Sequence, residues 1–173
     1  FNTKIFLTLC IECNIMINSK DIIETINMVQ KENFDVRTTT MGLSLLGCIS
    51  ATAKETARRC YDLICSRAEN IVKVANDLSM QYGVPIVNKR VSVTPVSLIT
   101  AGFKGEEIKI AKALDKAGKT LGIDFLGGYS ALVHKSMTDK EKSFIESIPE
   151  VLATTNILCS SVNVGSTRSG INL

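Results

Sequence analysis

The feature that most restricts the fold of this chain is a long helical stripe, residues 52–82, set between two β-branched runs. Ala57, Cys60, Ile64, Ala68, Ile71, Ala75 and Leu78 recur every three or four residues and so line one helix face, and Gly83 supplies the stop. Before the stripe, the three threonines and the valine of residues 34–46 favour extended backbone and predict a strand, with Gly42 marking a bulge or bend. After it, residues 84–96 predict a short strand bounded by Pro85 and Pro95. The pattern then repeats. A helix over 106–121 carries Ile110, Leu114 and Ala117 on one face and stops at Gly122. A buried strand over 123–126 empties into a Gly127-Gly128-Tyr129-Ser130 loop, a helix spans 139–148, and a last strand spans 157–164. Upstream, Ser19 is placed to cap a helix with Ile22, Ile23, Ile26 and Val29 at helical spacing, ending near Asn33. Strands alternating with helices of this length predict an α/β fold: βαβ units, right-handed crossovers and a mainly parallel sheet.

Composition narrows the function classes. The chain has 173 residues, 45% of them hydrophobic, which excludes a disordered chain. Its net charge of +3 comes from scattered basic residues, and with no tryptophan and three tyrosines there is no base-stacking platform, so no nucleic-acid partner is expected. No apolar stretch is long enough to span a bilayer, and the expectation is a soluble, cytoplasmic protein without a membrane partner. Cys60 and Cys65 fall in the helical stripe and read as reduced core thiols. Cys10 and Cys13 form a lone Cys-x2-Cys without a second pair, and His134 is the single histidine, so no metal site is expected.

Three segments are candidates for a site. The last strand leads from Cys159 into a loop of small hydroxyl residues, glycines and one arginine, in which Ser166, Thr167 and Arg168 can hold a phosphate or carboxylate. Asn88-Lys89-Arg90 forms the second segment; Lys89 and Arg90 point to opposite faces, while Asn88 shares a face with Arg90. The third is the glycine pair followed by Ser130. In a parallel sheet ligands gather beyond the carboxyl ends of the strands, where the three segments are expected to meet. The ligand-binding candidates are therefore Asn88, Arg90, Ser130, Ser166, Thr167 and Arg168. Cys159, among Ile157, Leu158 and Val162, reads first as an inert core thiol, and it is the catalytic candidate if chemistry occurs. Asp124 is the one acid at a strand end, as well suited to pairing structurally as to catalysis.

Taken together, residues 33–42, Pro85-Ile86-Val87-Asn88-Lys89-Arg90 and its continuation to Pro95, residues 113–117 and residues 159–172 resemble one known group. This is the uncharacterised PFL-like family, whose fold is related to pyruvate formate-lyase and its glycyl radical relatives. The resemblance begins near Met16, which suggests Met16 as the natural start and residues 1–15 as an extension outside it. It implies that residues 16–173 are the N-terminal part of one parallel α/β barrel domain, in a longer, homodimeric protein. The departures bear on chemistry. A glycyl radical loop resembles Arg-Val-Ser/Ala-Gly-Tyr, whereas Arg90-Val91-Ser92 is followed here by Val93, and the adjacent cysteine pair of pyruvate formate-lyase is replaced by Cys159-Ser160. Radical catalysis by this chain alone is not expected, and no cofactor can be named. The function expected is binding of a small anionic metabolite; the competing class is a non-catalytic homodimeric ligand sensor or regulatory protein.

Overall fold

A computed structural model of the chain describes residues 19–31, 38–103 and 105–172. Cys10, Cys13, Met16, Asn33 and residues 34–37 lie outside the described residues. The chain divides into two units, residues 1–35 and residues 36–173. The first contributes helix α1 (Ser19–Gln30), over the segment where isoleucine spacing predicts one.

The second unit is built on a four-stranded sheet: β1 (Thr38–Leu43), β2 (Asn88–Val93), β3 (Phe125–Leu132) and β4 (Leu158–Asn163), all parallel and in chain order. Between the strands lie α2 (Ala53–Ala68), α3 (Ile71–Tyr82), the short α4 (Val96–Thr100), α5 (Glu107–Leu121) and α6 (Asp139–Thr154). The α/β class and the parallel sheet read from the alternation are both present.

Strand order decides where the helices go. When every new parallel strand is added on the same side by a right-handed crossover, each crossover falls on the same face of the sheet. The burial of β2 shows the result: Val91 and Val93 are buried, while Arg90 and Ser92, which alternate with them, are exposed. Leu126, Tyr129, Ala131 and Leu158 continue the covered face and pack with Ile64, Ile110, Leu114, Phe144 and Val151 from the helices. Cys48 and Cys60 belong to this core. Burial, with Cys48 adjacent, pushes the Cys60 thiol up to about 12. Cys60 is the core thiol its helical position predicts, and Cys65 is half-buried.

Four local expectations need correction. The stripe over 52–82 is two helices, because Asn70 takes φ −98°, ψ 1° and breaks the hydrogen-bond ladder. Ala68 and Ile71 are both buried across the break, so the apolar period runs on unbroken. The Gly127-to-Ser130 segment is not a loop: β3 continues through it to Leu132, with the register against β4 shifting between Gly127 and Tyr129. Gly42, by contrast, sits in regular register opposite Ser92. Helix α6 runs past Pro149, started by a capping box in which Thr138 accepts from the Glu141 amide while the Glu141 carboxylate accepts from the Thr138 amide. Gly83 and Gly122 end α3 and α5 in the left-handed conformation, as their positions predict.

Candidate functional site

The face of the sheet that none of the described helices of the second unit covers, the open face, collects the chemistry. Cross-strand register places Thr40, Arg90 and Phe125 in one row, and Gly42, Ser92, Gly127 and Cys159 in the next. Beyond the bulge, Ser130 pairs with Ser161 and Leu132 with Asn163. A shallow cavity of about 360 Å³ lies over this face, lined by Thr40, Arg90, Val91, Ser92, Phe125, Gly127 and Cys159. The Arg90 guanidinium lies 5.1 Å from the centroid of the Phe125 ring, a cation–π contact. Among the described residues Arg90 has no carboxylate partner. The second row is low: a Cβ added at Gly42 or Gly127 would meet nothing within 4 Å.

Two of the sequence candidates, Arg90 and Cys159, therefore share a cavity. Cys159 is exposed rather than buried, because its side chain points away from the helices. The inert-core reading of this thiol is corrected by parity: its neighbour Leu158 takes the covered face. Treated with iodoacetamide, the folded protein is expected to react at Cys159, while Cys48 and Cys60 label only after unfolding; peptide mapping against denaturant concentration checks the order.

The remaining candidates do not converge as expected. Asn88 opens β2 opposite Thr38, at the amino end of the sheet, since the strand begins four residues later than the apolar run suggests. Ser166, Thr167 and Arg168 lie past the carboxyl end of β4, in a hairpin formed by β5 (Gly165–Ser166) and β6 (Gly170–Ile171). The two groups sit at opposite ends of the strands. Within the hairpin the Ser166 hydroxyl accepts from the Ser169 amide (3.0 Å) and contacts the Ser169 hydroxyl (2.6 Å), which itself donates to the His134 carbonyl (3.0 Å). The Asn172 side-chain amide donates to the Val133 carbonyl at 2.6 Å. The hairpin is thus tied to the exit of β3, leaving Thr167 and Arg168 exposed at its turn. Ser130 is half-buried, its hydroxyl donating to the Gly128 carbonyl at 3.3 Å.

Asp124 has a structural partner. Its carboxylate accepts the Lys89 amide at 2.7 Å while its own amide donates to the Lys89 carbonyl, which fixes β3 against β2 beside Arg90. A second hollow of about 580 Å³ lies between α4 and the start of α6, lined by Ser97, Leu98, Ala101 and residues 138–141, and none of the candidate residues borders it. No group of three or more His, Cys, Asp or Glu side chains suited to a metal occurs among the described residues. No helix among them is long and apolar enough to cross a membrane.

Sequence comparison places this geometry in a family. The model of the family described as "Uncharacterised ACR (DUF711)" matches residues 27–173. The chain belongs to the DUF711 family. Its relatives include the UPF0210 protein of Ligilactobacillus salivarius, 54% identical over 157 residues that cover 90% of this chain and 35% of the relative. A UPF0210 protein of Clostridium perfringens is 50% identical over 159 residues, covering 91% of this chain and 35% of the relative. The UPF0210 protein of Thermoanaerobacter sp. is 54% identical over 155 residues, covering 88% and 34% respectively. The DUF711 chain described here thus spans about a third of the length of the curated relatives it matches.

Neither Cys159 nor Arg90 could be assigned to the open face from local sequence. The partners that sequence reasoning missed are Thr40, Ser92 and Phe125, and the one signal that Thr40 and Ser92 carried is a hydroxyl residue in each of two β-rich runs.

Proposed function

We propose that the uncovered face of the sheet binds a small anionic metabolite, with Arg90 as its anchor. The single observation that carries this reading is a guanidinium with no carboxylate partner among the described residues, positioned by Phe125 over a face of small and hydroxyl side chains. An arginine offers a planar fork of donors that matches a carboxylate or phosphate, and stacking on an aromatic ring holds that fork in place. Cys159 lies within the same cavity, so a thiol is available to a bound ligand, whether for catalysis or for contact.

The same reading treats the sheet as one arc of a larger PFL-like barrel in a cytoplasmic homodimer. Its support is the strand order: parallel strands added one after another on one side are how a barrel wall is built, whereas a doubly wound sheet reverses direction. The length of the relatives leaves ample chain to supply the other strands. A non-catalytic sensor would use the same face.

The anion reading is tested with charged and neutral alkylating reagents. In the wild type, iodoacetate is expected to react with Cys159 faster relative to iodoacetamide than it does in Arg90→Gln, by about threefold for a unit charge some 7 Å away in a solvent-rich site. Added salt should erase the difference. Equal ratios in the two proteins at low salt would remove Arg90 as an anion anchor.

A further inference from the structure

The hollow between α4 and the start of α6 is separate from the open face, and the groups around it ask for a ligand of different chemistry. We propose that it binds a free aliphatic α-amino acid, with the carboxylate on the first turn of α6, the ammonium on Asp139 and Glu141, and the side chain against Leu98 and Ala101.

Its position follows from the topology. Helix α4 follows β2 after Thr94 and Pro95, and α6 follows β3 after residues 133–138, so both walls stand where parallel strands end. That is the end at which ligands gather in parallel α/β sheets. The volume of about 580 Å³ suits a small molecule.

A buried group beside the hollow lacks a partner. Ser97 borders it and is 5% exposed, yet its hydroxyl makes no hydrogen bond among the described residues. One helical turn on, the Thr100 hydroxyl donates to the Val96 carbonyl at 3.1 Å. An unpaired buried hydroxyl costs free energy, and a polar ligand group that reaches it removes the cost.

The first turn of α6 defines the charges the ligand must carry. The amides that open an α-helix have no acceptor within it. Thr138 accepts from the Glu141 amide, which leaves those of Asp139 and Lys140 for an acceptor from outside. Those amides, the helix dipole and the Lys140 ammonium favour a carboxylate. A simple anion would also stand beside the carboxylates of Asp139 and Glu141, and a simple cation would face the positive end of the helix. An α-amino acid holds both charges on one carbon and meets both demands. Glu141 binds the Thr138 amide and hydroxyl through Oε2, which leaves its other oxygen for the ammonium. Leu98 and Ala101, both exposed, form the apolar wall.

The test is isothermal titration calorimetry of the full protein with L-leucine, beside 4-methylpentanoate, which lacks the ammonium, and 3-methylbutylamine, which lacks the carboxylate. Leucine is expected to bind saturably, and each truncated probe at least tenfold more weakly, the loss of one charge-assisted contact. Ser97→Ala should weaken leucine about fivefold while the thermal unfolding midpoint of the free protein stays level or rises, because the hydroxyl removed has no bond to lose. Asp139→Asn should weaken leucine about tenfold and leave 4-methylpentanoate no weaker than before. The absence of saturable leucine binding at millimolar concentration would overturn the proposal. Equal affinity for leucine and either truncated probe would overturn the amino-acid assignment. Leucine affinity unchanged in both Ser97→Ala and Asp139→Asn would overturn the placement in this hollow. None of these outcomes bears on Arg90, whose role as an anion anchor stands or falls by the alkylation ratios.

Discussion

Replacing Gly128 with alanine is expected to destabilise the sheet by roughly 3–5 kcal/mol, the sum of a strained backbone and an overlap that cannot relax. The Gly128 φ is +123°, outside the range open to residues with a Cβ. A Cβ built there would stand 2.5 Å from Val93 Cγ2 and 2.6 Å from the Val93 carbonyl oxygen. The second contact is with backbone of the neighbouring strand, so no rotamer change relieves it. The consequence reaches the site, because Gly128 is the extra residue that resets the parity of β3. Ahead of it Leu126 faces the helices; after it Tyr129 does, three residues on instead of two, stacking on Phe144 with ring centroids 4.5 Å apart and its hydroxyl 2.8 Å from that of Ser147. With the bulge, Gly127 joins Cys159 on the open face and Ser130 joins Ser161. Urea unfolding of Gly128→Ala beside Gly127→Ala checks the argument. The first should lose most of its stability, whereas the second meets open space and should change by less than about 1 kcal/mol.

The same glycine shows why the fold was only partly legible in the sequence. Helix faces could be read, because Ile110, Leu114 and Ala117 bury at the spacing they display, and the stops at Gly83 and Gly122 fall where left-handed residues end helices. A Gly-Gly pair after four strand-like residues carries the signature of a turn, and only its pairing with both β2 and β4 shows that it is a bulge inside a strand. Pro149 misleads in the same way. It cannot donate to the previous turn, yet Val151 beyond it is fully buried, so packing of the last turn outweighs the lost hydrogen bond.

The site was harder to read than the fold for a physical reason. Alternation tells which residues share a face of a strand, but not which face the helices will cover. Arg90 with Ser92, and Cys159 with Ser161, could each be paired by parity, and their meeting depends on strand order and register across three strands. Asn88 was drawn toward the wrong end of the sheet because the apolar residues Val84, Ile86 and Val87 extend the β-like run upstream of the true strand. In the hairpin, serines that look like free donors contact each other and the His134 carbonyl, a pairing that no local pattern displays.

Position on the open face also depends on what anchors β4, and there Asp115→Ala is expected to lose about 3 kcal/mol. Asp115 is buried on α5, and its carboxylate accepts the backbone amides of Asn156 at 2.9 Å and Ile157 at 3.0 Å, the two residues that lead into β4. Lys119 completes the arrangement at 2.6 Å. Alanine would leave two part-buried amides at the entry to β4 without their acceptor, each costing about 1–2 kcal/mol. Asparagine keeps one acceptor oxygen and is expected to lose about half as much. The acid response separates charge from shape. Burial alone would raise the Asp115 carboxyl, but the hydrogen bonds from Lys119, Ile157 and Asn156, together with the Lys119 charge, outweigh it and hold the group below its ordinary value. The folded state therefore binds this proton less readily than the unfolded chain. Its contribution to stability is complete above the ordinary aspartate value of 3.8 and disappears as pH falls through the lower folded value. Denaturant unfolding from pH 7 down to about pH 3 should show the gap between wild type and Asp115→Asn narrowing only in the most acidic part of that range. A gap unchanged across the series would mean that the carboxylate charge contributes nothing to holding β4. The entry to β4 would then depend on packing by Leu158 and its neighbours, and Cys159 would keep its place on the open face without Asp115.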